Sequence, residues 1–290
     1  MSVVALTVAG SDPSGGAGVQ ADLATFGALS AFGTAVLTAL TAQSTAGVAG
    51  VHGVPAEFVA QQLEVLLDDV EVDAAKTGML GEAAVVEAVV DVLSRRPLPH
   101  LVVDPVMVAT SGDRLLADDA VAAVRDRLVP LADLLTPNLP EAAVLLGGEE
   151  AVDVDGMREQ ALALRALGAR AVLLKGGHLP AGPDGGGDVV DVLATGDGLE
   201  VLTSPRLRSR STHGTGCVLS AACAALRPRR DGWSATVRDA RQHLARAIAE
   251  GERLGVGRAA RSGRGHGPVH HHAGWWDAGT GAPLGSRVGP

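Results

Sequence analysis

The chain reads as an α/β protein, a mostly parallel sheet with helices on both faces, and three features of its 290 residues carry that reading. Short apolar runs rich in Val, Ala and Leu alternate with longer segments whose apolar positions recur at helical spacing. Hydrophobic residues make up 47% of the chain, ample for a core between layers. Polar clusters fall just past the ends of several apolar runs, where parallel sheets bind their ligands.

VVALTVAG near the start predicts the first strand, a glycine-rich turn spans Ser11–Gly18, and a helix runs to about Ala31. TAVLTAL predicts a second strand. From Pro55 to about Val70, Phe58, Val59, Leu63, Leu66 and Leu67 recur at helical spacing. VDAAKTG is a strand, Glu82–Leu93 a helix, and LVVD at 101–104 a buried strand ending on an acid. Helix 117–129, strand LLTP, helices 139–146 and 156–167 and strand AVLLK continue the alternation. After Gly176 a Gly/Pro-rich loop leads to DVVDVL and LEVLTSPR, an expected antiparallel pair. Two helices follow, from about Gly214 and about Ser234. The expectation is a single domain over 1–276, with a disordered tail over 277–290 where Gly, Arg and Pro dominate.

A formal charge of −9 argues against a nucleic-acid surface, which needs clustered cations. No apolar stretch is long enough for a membrane span, and MSVVALTVAG lacks the basic start of a signal peptide. Cys217 and Cys223 form no zinc spacing and suit a reducing compartment, so a cytoplasmic protein with a small-molecule partner is expected. Only two of the 24 cationic residues are lysine, Lys76 and Lys175; base composition of the coding DNA is one explanation, and a need for lysine where arginine's planar head would not serve is the other.

Four constellations carry chemistry. GSDPSGGAGVQAD at 10–22 is a glycine-rich turn before a helix, suited to an anion or a close ligand. It is no Walker A loop, because no GK[ST] follows. Nor is it a dinucleotide site, because the next strand runs out through Leu40–Gln43 without the required acid. HGTGC at 213–217 opens a helix whose first N–H groups can wrap an oxyanion, and places Cys217 in the first turn, where a thiol pKa is expected to fall. Packing as a small buried residue is the alternative for that thiol. In TPNLPEA, Asn138 and Glu141 stand three apart, able to organise hydrated Mg²⁺. Taken alone, they read better as an N-cap pair. LLKGGH puts Lys175 at a strand end as a phosphate contact or a solvent-reaching side chain. The adjacent histidines 270–272 read as incidental, for want of a second ligand set.

Together ALTVAGSDPSGGAGVQADL, TALTAQ, KTGML, DPVMVATSGD, TPNLPEA, KGGH, THGTGC and GPVHHHAGWW, in this order from about Val3 to Trp276, resemble the hydroxymethylpyrimidine/phosphomethylpyrimidine kinases of thiamine biosynthesis, within the ribokinase-like superfamily. The resemblance implies a three-layer α/β fold, usually a homodimer, and two successive phosphorylations from ATP, first on the hydroxymethylpyrimidine and then on its monophosphate. It implies a pyrimidine pocket lined by Gly10, Asp22, Gln43, Met79 and Val106, with Gln43 reading ring nitrogen and amine. Lys175, Asn138 and Thr215 would contact the nucleotide. Glu141 would hold Mg²⁺ through water, and Asp104 would be a further metal contact. Cys217, flanked by Gly214 and Gly216, takes the place where ribokinase relatives usually carry a catalytic aspartate.

Two departures stand out. Thr110 occupies a flap position at which family members commonly carry lysine. The link GVGRAARSGRGHGPV is longer than the usual one, and offers Arg258 or Arg264 as a replacement cation. Competing readings are a pyridoxine/pyridoxal kinase, a non-catalytic pyrimidine-binding module, and a hydrolase using Cys217 as nucleophile with His213 as its base.

Overall fold

The computed structural model describes residues 2–107, 118–177, 179, 187–257 and 266–275. Thr110, Arg258, Arg264, most of the flap, Trp276 and the 277–290 tail lie outside the described residues.

Along the chain come β1 (Val3–Ala9), α1 (Gly18–Ala28), β2 (Ala31–Leu37), β3 (Ala39–Ser44), β4 (Gly47–Gly53), α2 (Ala56–Asp69), β5 (Ala74–Thr77), α3 (Ala83–Arg95) and β6 (Leu101–Val103). Next are α4 (Asp118–Ala123), which continues through a π-turn and a 3-10 turn to Leu131, then β7 (Leu134–Leu135), α5 (Leu139–Leu146), α6 (Val154–Ala166) and β8 (Val172–Lys175). The antiparallel pair β9 (Asp188–Thr195) and β10 (Gly198–Pro205), β11 (Ser211–His213), α7 (Thr215–Leu226), α8 (Gly232–Gly251) and β12 (Gly267–Pro268) complete it.

The main sheet has eight strands in the order β10-β9-β8-β7-β6-β5-β1-β2, parallel from β2 to β8 and antiparallel through β9 and β10. Why it is covered on both faces can be read in its strands. Successive residues point to opposite faces of a sheet. Ala74 and Ala75, Val102 and Val103, Leu134 and Leu135, and Leu173 and Leu174 are all buried, one of each pair on each face. One face packs against Val59 and Leu63 of α2, Val86 and Val89 of α3, and Met157 and Leu164 of α6. The other packs against Phe26 of α1, Leu219 and Ala222 of α7, and Val237 of α8. The mostly parallel three-layer expectation holds.

Two departures from the sequence reading matter. Helix α1 stops at Ala28, not near Ala31, because Ser30 adopts a left-handed conformation (φ 58°) and Ala31 already pairs with Val3 in the sheet. The second strand therefore starts earlier than TAVLTAL and ends at Leu37. The residues that follow belong to a separate antiparallel arm, β3 with β4. That arm is rich in Ala, Gly, Thr and Ser and lacks an alternating apolar face, so its strands carry no strong periodicity. The short β11–β12 pair brings the 267–275 segment back beside the start of α7.

Candidate active site

The carboxyl ends of β1, β5, β6 and β8 and the starts of α1, α5 and α7 converge on one edge. Three clusters occupy it.

The first surrounds Gly10. A Cβ there would lie 2.3 Å from Met79 Cε, so glycine is what allows β1 to end against that side chain. Thr38 Oγ1 donates to the Met79 carbonyl at 2.7 Å. The arm is stitched to the first loop: Ser11 N–H donates to the Ala39 carbonyl, Thr41 N–H to Ser11 Oγ and Thr41 Oγ1 to the Ser11 carbonyl. Thr41 Oγ1 also reaches Gln43 Oε1 at 3.3 Å. Gly10, Met79 and Gln43 are thus drawn together from three elements. Val106 lies just past β6, beside Gly78 and Leu80.

The second cluster is ionic and fully enclosed. Lys76 Nζ donates to both oxygens of Asp22, and Thr7 Oγ1 donates to Asp22 Oδ2 at 2.6 Å. Burial penalises the Lys76 charge, but the adjoining carboxylate outweighs it and holds the ammonium above its ordinary pKa. Asp22 therefore offers no surface to a ligand; it stands behind the pocket and anchors Lys76.

The third cluster is Asp104, Lys175, Glu141 and the start of α7. Lys175 Nζ lies 3.1 Å from Asp104 Oδ1, which also accepts from Thr136 Oγ1, while Ser220 Oγ donates to Asp104 Oδ2 at 3.0 Å. Burial pushes the Asp104 carboxyl up, but Lys175 and Lys76 bring it below its ordinary value; Asp104 in turn keeps Lys175 charged against burial. Asn138 and Glu141 form a reciprocal capping box, Asn138 N–H to Glu141 Oε2 and Glu141 N–H to Asn138 Oδ1, both 2.8 Å. The cap reading is correct as geometry. Burial drives the Glu141 carboxyl up to about 7 in spite of Lys175, so a further cation would favour its ionised form.

Helix α7 begins with no side-chain cap; its N-cap is Gly214 at φ 83°. A Cβ on Gly214 would meet the Gly16 carbonyl at 1.8 Å, and one on Gly216 would stand 3.4 Å from Lys175 Nζ. The uncapped N–H groups of Thr215, Gly216 and Cys217 thus open beside the Lys175–Asp104 pair, at the positive end of the helix dipole. One expectation is overturned. Burial raises the Cys217 thiol to about 11, and Asp22 and Asp104 add to the rise. Lys76 and an N–H from Gly18 offset only part of it. The helix start does not make this sulphur a thiolate.

His213 directs Nε2 to Asp12 Oδ2 at 2.7 Å and makes no hydrogen bond to Cys217, so the base–nucleophile contact that a hydrolase needs is not formed. The hydrolase arrangement is absent. Of histidines 270–272, His270 is buried and His271 bonds the Gly16 backbone. Among the described residues no group of three or more His, Cys, Asp or Glu side chains could hold a metal ion by itself. The sequence reading placed Asp12 in the polar cluster after the first strand without giving it a role, and it missed Thr136 and Ser220. Ser220 had a usable signal, since it lies one helical turn beyond Gly216 and so shares its face.

A family model for phosphomethylpyrimidine kinase matches residues 12–270. The hydroxymethylpyrimidine/phosphomethylpyrimidine kinase of Escherichia coli is 50% identical over 272 residues, 94% of this chain and 98% of that protein. The ADP complex of Bacillus subtilis pyridoxal kinase superposes with a TM-score of 0.83 at 35% identity, covering 94% of this chain and 98% of that one. The phosphomethylpyrimidine kinase of Clostridium difficile 630 does so with 0.74 at 35% identity, covering 85% and 99%. Match length, identity and shared fold agree: this chain belongs to the phosphomethylpyrimidine kinase family.

Proposed function

We propose that this chain transfers the γ-phosphate of ATP to 4-amino-5-hydroxymethyl-2-methylpyrimidine and then to the resulting monophosphate. The observation that carries the reading is the Lys175–Asp104 pair set against the uncapped start of α7, an N–H-rich cradle with a lysine beside it. Phosphoryl transfer needs positioning and charge stabilisation above all. The N–H groups of Thr215, Gly216 and Cys217 supply both to the moving phosphoryl group. Lys175 holds nucleotide phosphate, with Asn138 beside it. Gly10, Gln43, Met79 and Val106 receive the ring.

The residues fit Mg²⁺. Glu141 is a buried carboxyl whose raised pKa a cation would relieve, and a site short of protein ligands suits an ion that keeps waters and binds phosphate oxygens. Glu141 would hold it through water, and Asp104, already engaged by Lys175, would be the further metal contact. The ion would neutralise charge on the phosphate oxygens.

Cys217 serves as a neutral group. An alcohol acceptor must lose its proton, whereas a phosphate monoester, with a second pKa of about 6, is already mostly anionic near neutrality. An uncharged thiol at this position spares the second acceptor the repulsion that a carboxylate would impose. We also infer a cytoplasmic homodimer.

The test is incubation with Mg·ATP and the pyrimidine, separating mono- and diphosphate, with pyridoxine in parallel. Diphosphate is the expected product. Pyridoxine phosphate without a pyrimidine product would reassign the pocket to pyridoxine. No product from either would leave a pyrimidine-binding module.

A further inference from the structure

The Asp12–His213 pair lies outside the clusters above, is buried, and joins segments 201 residues apart. Asp12 organises its own loop. Its Oδ1 accepts the Ser14 N–H at 2.8 Å and its Oδ2 the Ala17 N–H at 2.9 Å, while the Asp12 N–H is taken by Gln20. Burial pushes the carboxyl up, but His213 and Ser14 bring it below its ordinary range, so it is ionised and accepts. The His213 nitrogen facing it must therefore carry the hydrogen.

The imidazole also lies directly on the loop. A Cβ at Gly16 would be 2.2 Å from His213 Cδ2, and the next residue, Gly214, abuts the Gly16 carbonyl. His271 bonds the Gly16 backbone from the returning C-terminal segment. The loop is thus gripped from β11 and from the residues after β12. It ends at Gly18, whose N–H reaches the Cys217 sulphur. Residue 213 immediately precedes the N-cap of the helix that carries Cys217.

We propose that His213 and Asp12 are positioning residues for phosphoryl transfer: they lock the Asp12–Gly18 turn onto the start of α7 and so fix the Gly18 N–H against Cys217. This rests on the kinase reading above. A pair that only stabilises the fold would change melting without changing the chemistry at a given extent of folding.

The test compares wild type with His213→Ala, His213→Gln and Asp12→Asn. It reads kcat and KM for both substrates, thermal unfolding, and the rate of iodoacetamide modification of Cys217, resolved from Cys223 by peptide mass. His213→Ala should lower kcat about 10–100-fold, the scale set by small misplacements of reacting groups, with the KM for ATP nearly unchanged. Cys217 modification should quicken several-fold as the turn loosens. His213→Gln, whose side-chain N–H can reach the same carboxylate, should recover most of both. Asp12→Asn loses the ionised acceptor and should follow His213→Ala, and it decides the matter if His213→Ala fails to fold. Unchanged kcat and modification rate would overturn the proposal. So would equal losses in the Ala and Gln variants with cooperative melts. If wild type phosphorylates no pyrimidine, the kinase reading fails, and the modification rates alone still decide whether the clamp exists.

Discussion

Lys76 Nζ stands 3.0 and 2.9 Å from the two carboxylate oxygens of Asp22, and neither side chain reaches solvent. Such a pair is costly to break from one side, because the survivor is left charged in a low-dielectric interior. Lys76→Met should destabilise the protein by about 3–5 kcal/mol. Replacing both, Lys76→Met with Asp22→Asn, should recover a large part of the loss. Urea unfolding of the two variants checks this; a double variant no more stable than the single would mean that the pair is not coupled as the distances require.

Cys217 is protonated at any ordinary pH, since its thiol titrates near 11. Cys217→Asp places a carboxylate where an anionic acceptor must approach. The first phosphorylation should survive and the second should fall by tenfold or more, about 1.4 kcal/mol of repulsion. Product analysis from the alcohol and from the monophosphate, assayed separately, reads the difference. Equal retention of both steps would discard the repulsion argument.

Glu141 contributes a pH slope of stability. Its folded carboxyl titrates near 7 against an ordinary 4.5, so the folded state holds an extra proton between those values. Stability from this group is full below about 4.5 and is lost as pH rises towards 7, by up to roughly 3 kcal/mol. His243 acts oppositely. Burial and Arg246 push its imidazole to about 4, so its contribution is full above 6.5 and lost as pH falls towards 4. Denaturation midpoints across pH 4–8 should show Glu141→Gln removing the loss towards neutrality while the acid limb from His243 remains. Gln keeps the acceptor that the Asn138 N–H needs.

Two glycines of HGTGC should respond differently to alanine. At Gly214 the backbone is left-handed and a Cβ would collide with the Gly16 carbonyl, so Gly214→Ala must push the first loop off α7. A melting-temperature drop together with loss of activity is expected. At Gly216 the nearest atom to a Cβ is Lys175 Nζ at 3.4 Å, a contact that the long side chain can relieve. Gly216→Ala should therefore fold nearly as well as wild type while weakening ATP binding, seen as a raised KM.

Much of the site was legible in linear form because its pieces are local. Asn138 and Glu141 lie three residues apart and cap one helix; Gly214, Gly216 and Cys217 open another; Lys175 ends a strand that its apolar run declares. The arm was not legible. Its stability comes from pairing with itself and from Ser11, not from an apolar stripe, and Gln43 therefore looked like the end of a sheet strand.

The titration of Cys217 illustrates a different limit. A helix start lowers a thiol pKa locally, yet burial and the carboxylates of Asp22 and Asp104 act through space from other elements and reverse the sign. Asp12 and His213 are likewise unremarkable letters until folding places them 2.7 Å apart.

The amino-acid sequence alone determined the alternation of strand and helix, the polar edge at the strand ends and the family, because periodicity, turn residues and short motifs are properties of neighbours along the chain. Only the tertiary structure decided which charges pair, that Asp22 faces Lys76 rather than a ligand, and that Cys217 stays neutral. Those outcomes depend on desolvation and on Coulomb interactions between residues far apart in sequence, and distance in space sets their magnitude.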